Sequence, residues 1–307
     1  MVSSELLSSN KTAQILLAAE EGGYGVLAAI AFVNLRHDIC PTATDNIRYN
    51  IEQILGLIKA AESARAPLIL QFFPWAITFS DGLLIHTAAM AAKKATVPVA
   101  IHLDHCQNED MVRHAADHLP FDSIMVDMSH HEKAANLAKT KELVAYCQER
   151  GITTEAEPGR IEGGEDGIAD TADLSGLLTT PEEVDEFIDT GVDFLAPAFG
   201  NVHGEYGKRG PQLEYGRLDS IYASCKKRNI RVVLHGTNDF PEEVISKCIK
   251  GGVSKINVNK LVLDDYNDYL RASASNTSIT KLMEESVDKV AKLTEIWIER
   301  CGGSGKA

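Results

Sequence analysis

Eight short apolar runs recur along the chain, at 24–31, 67–73, 97–105, 122–127, 152–157, 193–199, 231–234 and 255–258. Each is too short for a typical helix and is apolar almost throughout, which is how a parallel strand buried on both faces reads. Helical signals separate them. A run at 11–21 ends on Gly22-Gly23, Asn50-Ile51-Glu52 opens a second helix, and Thr180-Pro181-Glu182-Glu183 starts another with proline at its first position. Ser129 with Glu132 has the spacing of a capping box and predicts a helix start there. The stretch 159–178 is polar and reads as a loop, and an amphipathic helix over about 280–300 closes the chain. Strand and helix alternate over residues 1–307 without a linker or a break in composition. This predicts a single (β/α)8 barrel domain. An open doubly wound sheet is the competing α/β arrangement. No GxGxxG follows the first run, which weakens its dinucleotide-binding form.

Composition narrows the functions open to such a barrel. A formal net charge of -14 argues against nucleic acid as the main partner, although a local basic pocket for a small anion remains compatible with it. Six cysteines are scattered without a CxxC pair, as expected of free thiols in a reducing compartment. The N-terminus lacks an apolar signal core, and no apolar run reaches the roughly 20 residues that span a bilayer. The expectation is a cytoplasmic protein with no membrane segment.

Barrel active sites gather where strands end at their C-terminal tips. Here the third run ends in Asp104-His105, the fourth in Asp127 and the fifth in Glu157. His203 follows the sixth, His235 the seventh, and the eighth carries Asn257 and Asn259. Three histidines from three strand ends match the open donor set of a catalytic zinc-like ion. An acid beside them suggests metal-assisted proton chemistry. The other histidines read differently. His102 alternates with Asp104 and is expected to pack inside. His114 and His118 share a helical face, His130 and His131 open a helix, and His37 and His86 sit in no motif.

These residues, read in order, carry a resemblance. The pieces are His102-Leu103-Asp104-His105, Asp127-Met128-Ser129-His130, the run from Glu155 to Gly167, Gly200-Asn201-Val202-His203-Gly204, Leu234-His235-Gly236 and Asn257-Val258-Asn259. The sequence resembles the class II, zinc-dependent ketose-bisphosphate aldolases from about Asn10 to the last helix. The resemblance implies reversible aldol cleavage of a ketose (bis)phosphate through an enediolate. It implies one catalytic zinc on His105, His203 and His235, allows a monovalent cation, and implies a homodimer or larger assembly. Asp104 matches the residue that exchanges a proton with the aldehyde-half hydroxyl. Glu165 matches the residue that moves the proton on the enediolate carbon, and Asn257 the one that hydrogen-bonds the enediolate. Asp127 and Glu157 match positions that reach a metal in a second site, although Asp127 also reads as an orienter of a histidine ligand. Gly204, Gly236, Asn238, Asn259 and Lys260 fall at the family's substrate phosphate pocket.

That pocket departs from the pattern. Asn238 replaces a serine, Asp239 a glycine, Lys260 a threonine, and Phe73 stands where the second strand carries a serine. A carboxylate at Asp239 would repel phosphate, while the Lys260 ammonium would attract it. The expectation is a substrate other than fructose 1,6-bisphosphate, unphosphorylated ones included, or a phosphate held differently. A second departure is an insertion at about 32–48, which reads either as a loop over the barrel mouth or as a translated intron. A metal-dependent hydrolase on the same barrel is the alternative enzyme, but no His-x-His pair lies on an early strand. A catalytically reduced aldolase-like protein is a third reading, against which Asp104, Glu165 and Asn257 speak.

Overall fold

The structure, a computed structural model, describes residues 8–31, 33–34, 47–48, 50–159, 161, 163–169, 178–238, 240–259 and 262–307. For 33–34, 47–48, 163–169 and 205 the description covers the backbone alone. Each apolar run supplies one parallel strand: β1 (Val26–Ile30), β2 (Leu68–Phe72), β3 (Val99–Cys106), β4 (Ser123–Val126), β5 (Thr153–Ala156), β6 (Phe194–Leu195), β7 (Arg231–Leu234) and β8 (Val253–Val258). They close in chain order, β8 pairing with β1, into the predicted (β/α)8 barrel.

Why the strands read as unbroken apolar runs is visible in their two faces. Val26 and Ala28 of β1 point into the barrel with Ile69, Ala100, Phe194 and Val233. Leu27 and Ala29 point outward among the residues of the surrounding helices. Both faces are thus dry. The floor is sealed by α1 (Lys11–Gly22), whose Ile15, Leu16 and Ala19 belong to the interior cluster. Asn10 caps this helix by accepting from the Ala13 N–H, and its amide nitrogen donates to the carbonyls of Asp122 and Gly151. One side chain therefore both starts α1 and fastens it to the barrel floor.

The ring closes through α2 (Ile51–Ala64) against the long terminal helix Ile279–Arg300. Gly56 makes their approach close, since a Cβ there would lie 2.6 Å from Val290 Cβ. No helix of the described residues is long and apolar enough to cross a membrane. The five described cysteines (Cys106, Cys147, Cys225, Cys248, Cys301) are free and buried; Cys40 lies outside the described residues.

Three local expectations are corrected or extended. Ser129 does not cap a helix. The helix there spans Lys133–Gln148 with Glu132 at its N-cap, and the Ser129 hydroxyl donates to Asp127 instead, at 2.6 Å. A buried carboxylate is the stronger acceptor, so it takes the hydroxyl. The polar stretch 159–178 contains a strand, Gly163–Ala169, which pairs in parallel with His203–Tyr206. The ends of the 32–48 segment meet, Val33–Asn34 pairing antiparallel with Ile47–Arg48, while 35–46 lie outside the described residues. At Thr180 the expected helix start is present, with a complete capping box to Glu183 and proline at the first turn.

Candidate active site at the barrel mouth

A regular strand cannot turn Asp104 and His105 to the same side, because neighbouring side chains alternate. His102 and Asp104 share the inward face of β3. His105 joins them because its backbone is left-handed, with φ of 46°, and because the β3–β4 register shifts between Leu103 and Cys106. A mouth pocket is lined by both Asp104 and His105.

Three imidazoles meet there. His105 Nε2 lies 3.1 Å from His235 Nδ1, and His203 Nε2 lies 3.3 Å from the same atom. The opposite nitrogen of each ring has an acceptor. His105 Nδ1 is 2.9 Å from Asp127 Oδ2, His235 Nε2 is 2.9 Å from Glu155 Oε1, and His203 Nδ1 is 3.3 Å from the Ile161 carbonyl. Each outer nitrogen therefore carries its proton, and three inner lone pairs converge. Lone pairs repel unless a cation sits among them, so this donor set fits a divalent ion. Electrostatics agree. Burial, reinforced by the other two rings, holds His203 well below the usual imidazole range. Burial likewise lowers His235. Burial would lower His105 as well, but the Asp104 carboxylate and then Asp127 outweigh it and raise it to about 10. The same carboxylates that draw a proton onto His105 would favour a metal cation in that proton's place, which leaves all three inner nitrogens able to ligate.

Beneath the triad lies a layer of buried charge. Asp104 accepts from Gln71 Nε2 at 3.1 Å and from Asn257 Nδ2 at 3.3 Å. Burial would raise its pKa, but His105, the His102 ring 3.6 Å away and Lys255 hold it well below the carboxylate range. It is therefore ionised. Glu155 receives the Lys255 ammonium at 2.8 Å, with both side chains wholly buried. His102, Asp104 and Glu155 also form a three-ligand cluster, but the Lys255 ammonium already pairs with its Glu155 carboxylate. Glu157, behind His105, is pushed up to about 8 by burial and then by Asp127, while its Oε1 accepts from the Ile161 N–H.

A chain with this barrel and this mouth matches the family described as fructose-bisphosphate aldolase, class II, over residues 43–306. The chain belongs to that family. A Coccidioides immitis (strain RS) protein named as a fructose-bisphosphate aldolase is 52% identical over 266 residues, covering 84% of this chain and 88% of the relative. A Streptococcus pyogenes serotype M3 fructose-bisphosphate aldolase is 36% identical over 214 residues, 68% of this chain and 70% of the relative. A crystal structure of a C. immitis protein described as a fructose-1,6-bisphosphate aldolase superposes with a TM-score of 0.87 at 46% identity, covering 97% and 98% of the two chains. The YdjI aldolase of Escherichia coli K12 superposes with a TM-score of 0.78 at 26% identity, covering 96% and 97%.

This class II aldolase is a metal-dependent lyase, and it brings most of its sequence-predicted site residues into one pocket. Asp104, His105, His203, Gly204, His235, Gly236, Asn238, Asn257 and Asn259 all line it. Asp127 and Glu157 stand behind the triad. Glu165 lies on the Gly163–Ala169 strand, where only the backbone is described. Lys260 and Asp239 lie outside the described residues. Of the remaining histidines, His102 is packed, 2.8 Å from Ser123 Oγ, and the His114 and His118 rings lie 5.1 Å apart on their helix. His37 lies outside the described residues. Sequence reasoning missed Gln71, Glu155, Lys255 and Tyr206. The signal for the first and third was available: an amide and an ammonium inside otherwise apolar strands need buried partners.

Proposed function

We propose that the aldolase reversibly cleaves a ketose 1,6-bisphosphate between carbons 3 and 4, with zinc held by His105, His203 and His235. A zinc ion held by these three residues would supply Lewis-acid stabilisation of negative charge on the ketone oxygen. Asp104 takes the proton from the carbon-4 hydroxyl as the bond breaks, and that carbon leaves as an aldehyde. Its depressed pKa and its three polar neighbours keep it ready to accept. Asn257 sits between Asp104 and His235 and donates toward the enediolate oxygen. Glu165 delivers the proton that converts carbon 3 into the hydroxymethyl group of the ketone product.

The phosphate of the ketone half is assigned to Gly204 and the turn Gly236–Asn238, with Asn259 and Lys260 beside it. The carbonyls of His235, Gly236 and Thr237 accept from Asn201, Tyr206 and the Phe240 N–H respectively. In a trans peptide the next N–H points the opposite way. The amides of Gly236, Thr237 and Asn238 therefore face away from those acceptors and can cradle an anion without the serine hydroxyl that Asn238 replaces. At the aldehyde end, Phe73 supplies a ring 6.3 Å from the His105 ring instead of a hydroxyl. The reading also keeps the protein cytoplasmic, homo-oligomeric and a single barrel domain over 1–307, with Asp127 orienting His105 and Glu157 in reserve near the metal.

The observation that carries this reading is the buried Asp104 carboxylate lining the same pocket as three converging imidazole nitrogens. The test is retro-aldol turnover of fructose 1,6-bisphosphate and fructose 1-phosphate with zinc present, then after chelation. Cleavage that disappears on chelation and returns with zinc is expected. Cleavage of neither sugar would overturn the proposal.

A further inference from the structure

We infer that Tyr206 is a positioning residue whose hydroxyl couples the phosphate-binding turn to the segment carrying Glu165. The inference rests on the functional reading above. The Tyr206 hydroxyl donates to the Gly236 carbonyl at 2.7 Å and accepts from the Val202 N–H at 3.1 Å. It fastens the loop after β6 to the turn after β7, beside a second tie in which Asn201 Nδ2 donates to the His235 carbonyl at 3.2 Å. Gly236 fits against this loop so closely that a Cβ there would lie 2.1 Å from the Val202 carbonyl oxygen. Movement of either loop must therefore be shared by the other.

The same tyrosine ends the His203–Tyr206 strand, and its backbone pairs with Ala169. The partner strand is the one that carries Glu165. Their register is uneven. His203 faces Gly163, but Glu205 faces Ile168, so the residues between Gly163 and Ile168 outnumber the one opposite and form a bulge. Glu165 lies in that bulge, across from Gly204, which lines the pocket. A bulge re-aims the residues it contains, and its direction depends on the strand that anchors it. That anchor runs through Tyr206 to the Gly236 carbonyl, one atom group away from the amides assigned to phosphate. An anion that tightens the turn consequently tightens the Gly163–Ala169 strand. The device makes proton transfer by Glu165 depend on a correctly seated phosphate.

The test uses hydrogen–deuterium exchange on the zinc-loaded protein with inorganic phosphate as the probe. The Tyr206→Phe arm separates a path through Tyr206 from one through Gly204, which lines the pocket and lies opposite Glu165. In the wild type, phosphate is expected to slow exchange at 236–238 and also at 163–169. In Tyr206→Phe, protection at 236–238 persists and protection at 163–169 is lost. The same variant lowers kcat for the sugar bisphosphate about five- to tenfold, the weight of one hydrogen bond. Zinc affinity and the unfolding midpoint stay near wild type, since every histidine keeps its own acceptor. Wild-type protection confined to 236–238 overturns the coupling, even if the variant fails to fold. Transmission that survives in Tyr206→Phe, or a parallel loss of zinc affinity, also overturns it. If phosphate protects neither segment, the phosphate seat itself is wrong and the inference falls with it.

Discussion

Lys255→Met tests how the layer under the metal site is held. The Lys255 ammonium lies 2.8 Å from Glu155 and both are wholly buried. At an effective dielectric near 20 the pair attracts by about 6 kcal/mol. Desolvation consumes much of that, so the measurable cost of removing one partner is about 3–5 kcal/mol. For a chain of 307 residues, about 4 kcal/mol corresponds to a fall of about 6 °C in unfolding temperature. The effect extends upward to the metal. Burial would raise the pKa of Glu155, but Lys255 first and His235 next bring it down to about 2. Without Lys255 the carboxyl rises, takes up a proton and no longer fixes the His235 Nε2–H. Zinc affinity should then fall about 10- to 100-fold. The double variant Lys255→Met with Glu155→Gln removes both charges and leaves a neutral acceptor for His235. It should recover most of the stability and part of the affinity, giving a coupling energy of about 2–4 kcal/mol. Urea unfolding and zinc competition titration on the four proteins decide the matter. A single-variant cost below about 1 kcal/mol, or additive single effects, would refute the reasoning.

Three other changes have definite expectations. Asp104→Asn keeps the hydrogen-bonding shape but removes the base, so kcat should drop by about 10²- to 10⁴-fold while zinc still binds; a variant with wild-type turnover would exclude Asp104 from proton transfer. Gly236→Ala places a Cβ 2.1 Å from the Val202 oxygen at a backbone φ of 67°, and should raise KM and lower the unfolding midpoint together, as measured by steady-state kinetics and thermal unfolding. Asp193, far from the metal on the barrel floor, is pushed up to about 6 by burial. Its folded form holds a proton more tightly than the unfolded chain, whose value is about 3.9. The associated stability is therefore full below about pH 4 and is lost as pH rises through about 6. Relative to Asp193→Asn, the wild type should lose about 3 kcal/mol between those limits, and parallel pH profiles would contradict this.

The barrel was legible because parallel strands buried on both faces leave short unbroken apolar runs in the sequence, recurring eight times between helical signals. The triad was legible for a related reason: His105 lies at the C-terminal end of such a strand, and His203 and His235 follow the ends of two others. What the sequence concealed depends on contacts between distant segments. The Gly163–Ala169 strand lies in a glycine-rich polar stretch with no alternation, and it forms only because His203–Tyr206 offers a backbone edge. Ser129 and Glu132 have the spacing of a cap, but the serine finds a buried carboxylate two residues away, which local patterning cannot weigh. The Glu155–Lys255 pair joins residues on β5 and β8 that meet only across the barrel interior.

The left-handed backbone at His105 has a consequence for anyone modifying this protein. A non-glycine residue there costs about 1–2 kcal/mol, because its Cβ crowds the following carbonyl. Selection or design that scores folding alone would replace His105 with glycine and be rewarded with a sturdier barrel. It would also remove one of the three nitrogens proposed to hold the metal. The position should be held fixed in any thermostability library, and a homologue carrying glycine there would be a stable scaffold that has given up the chemistry.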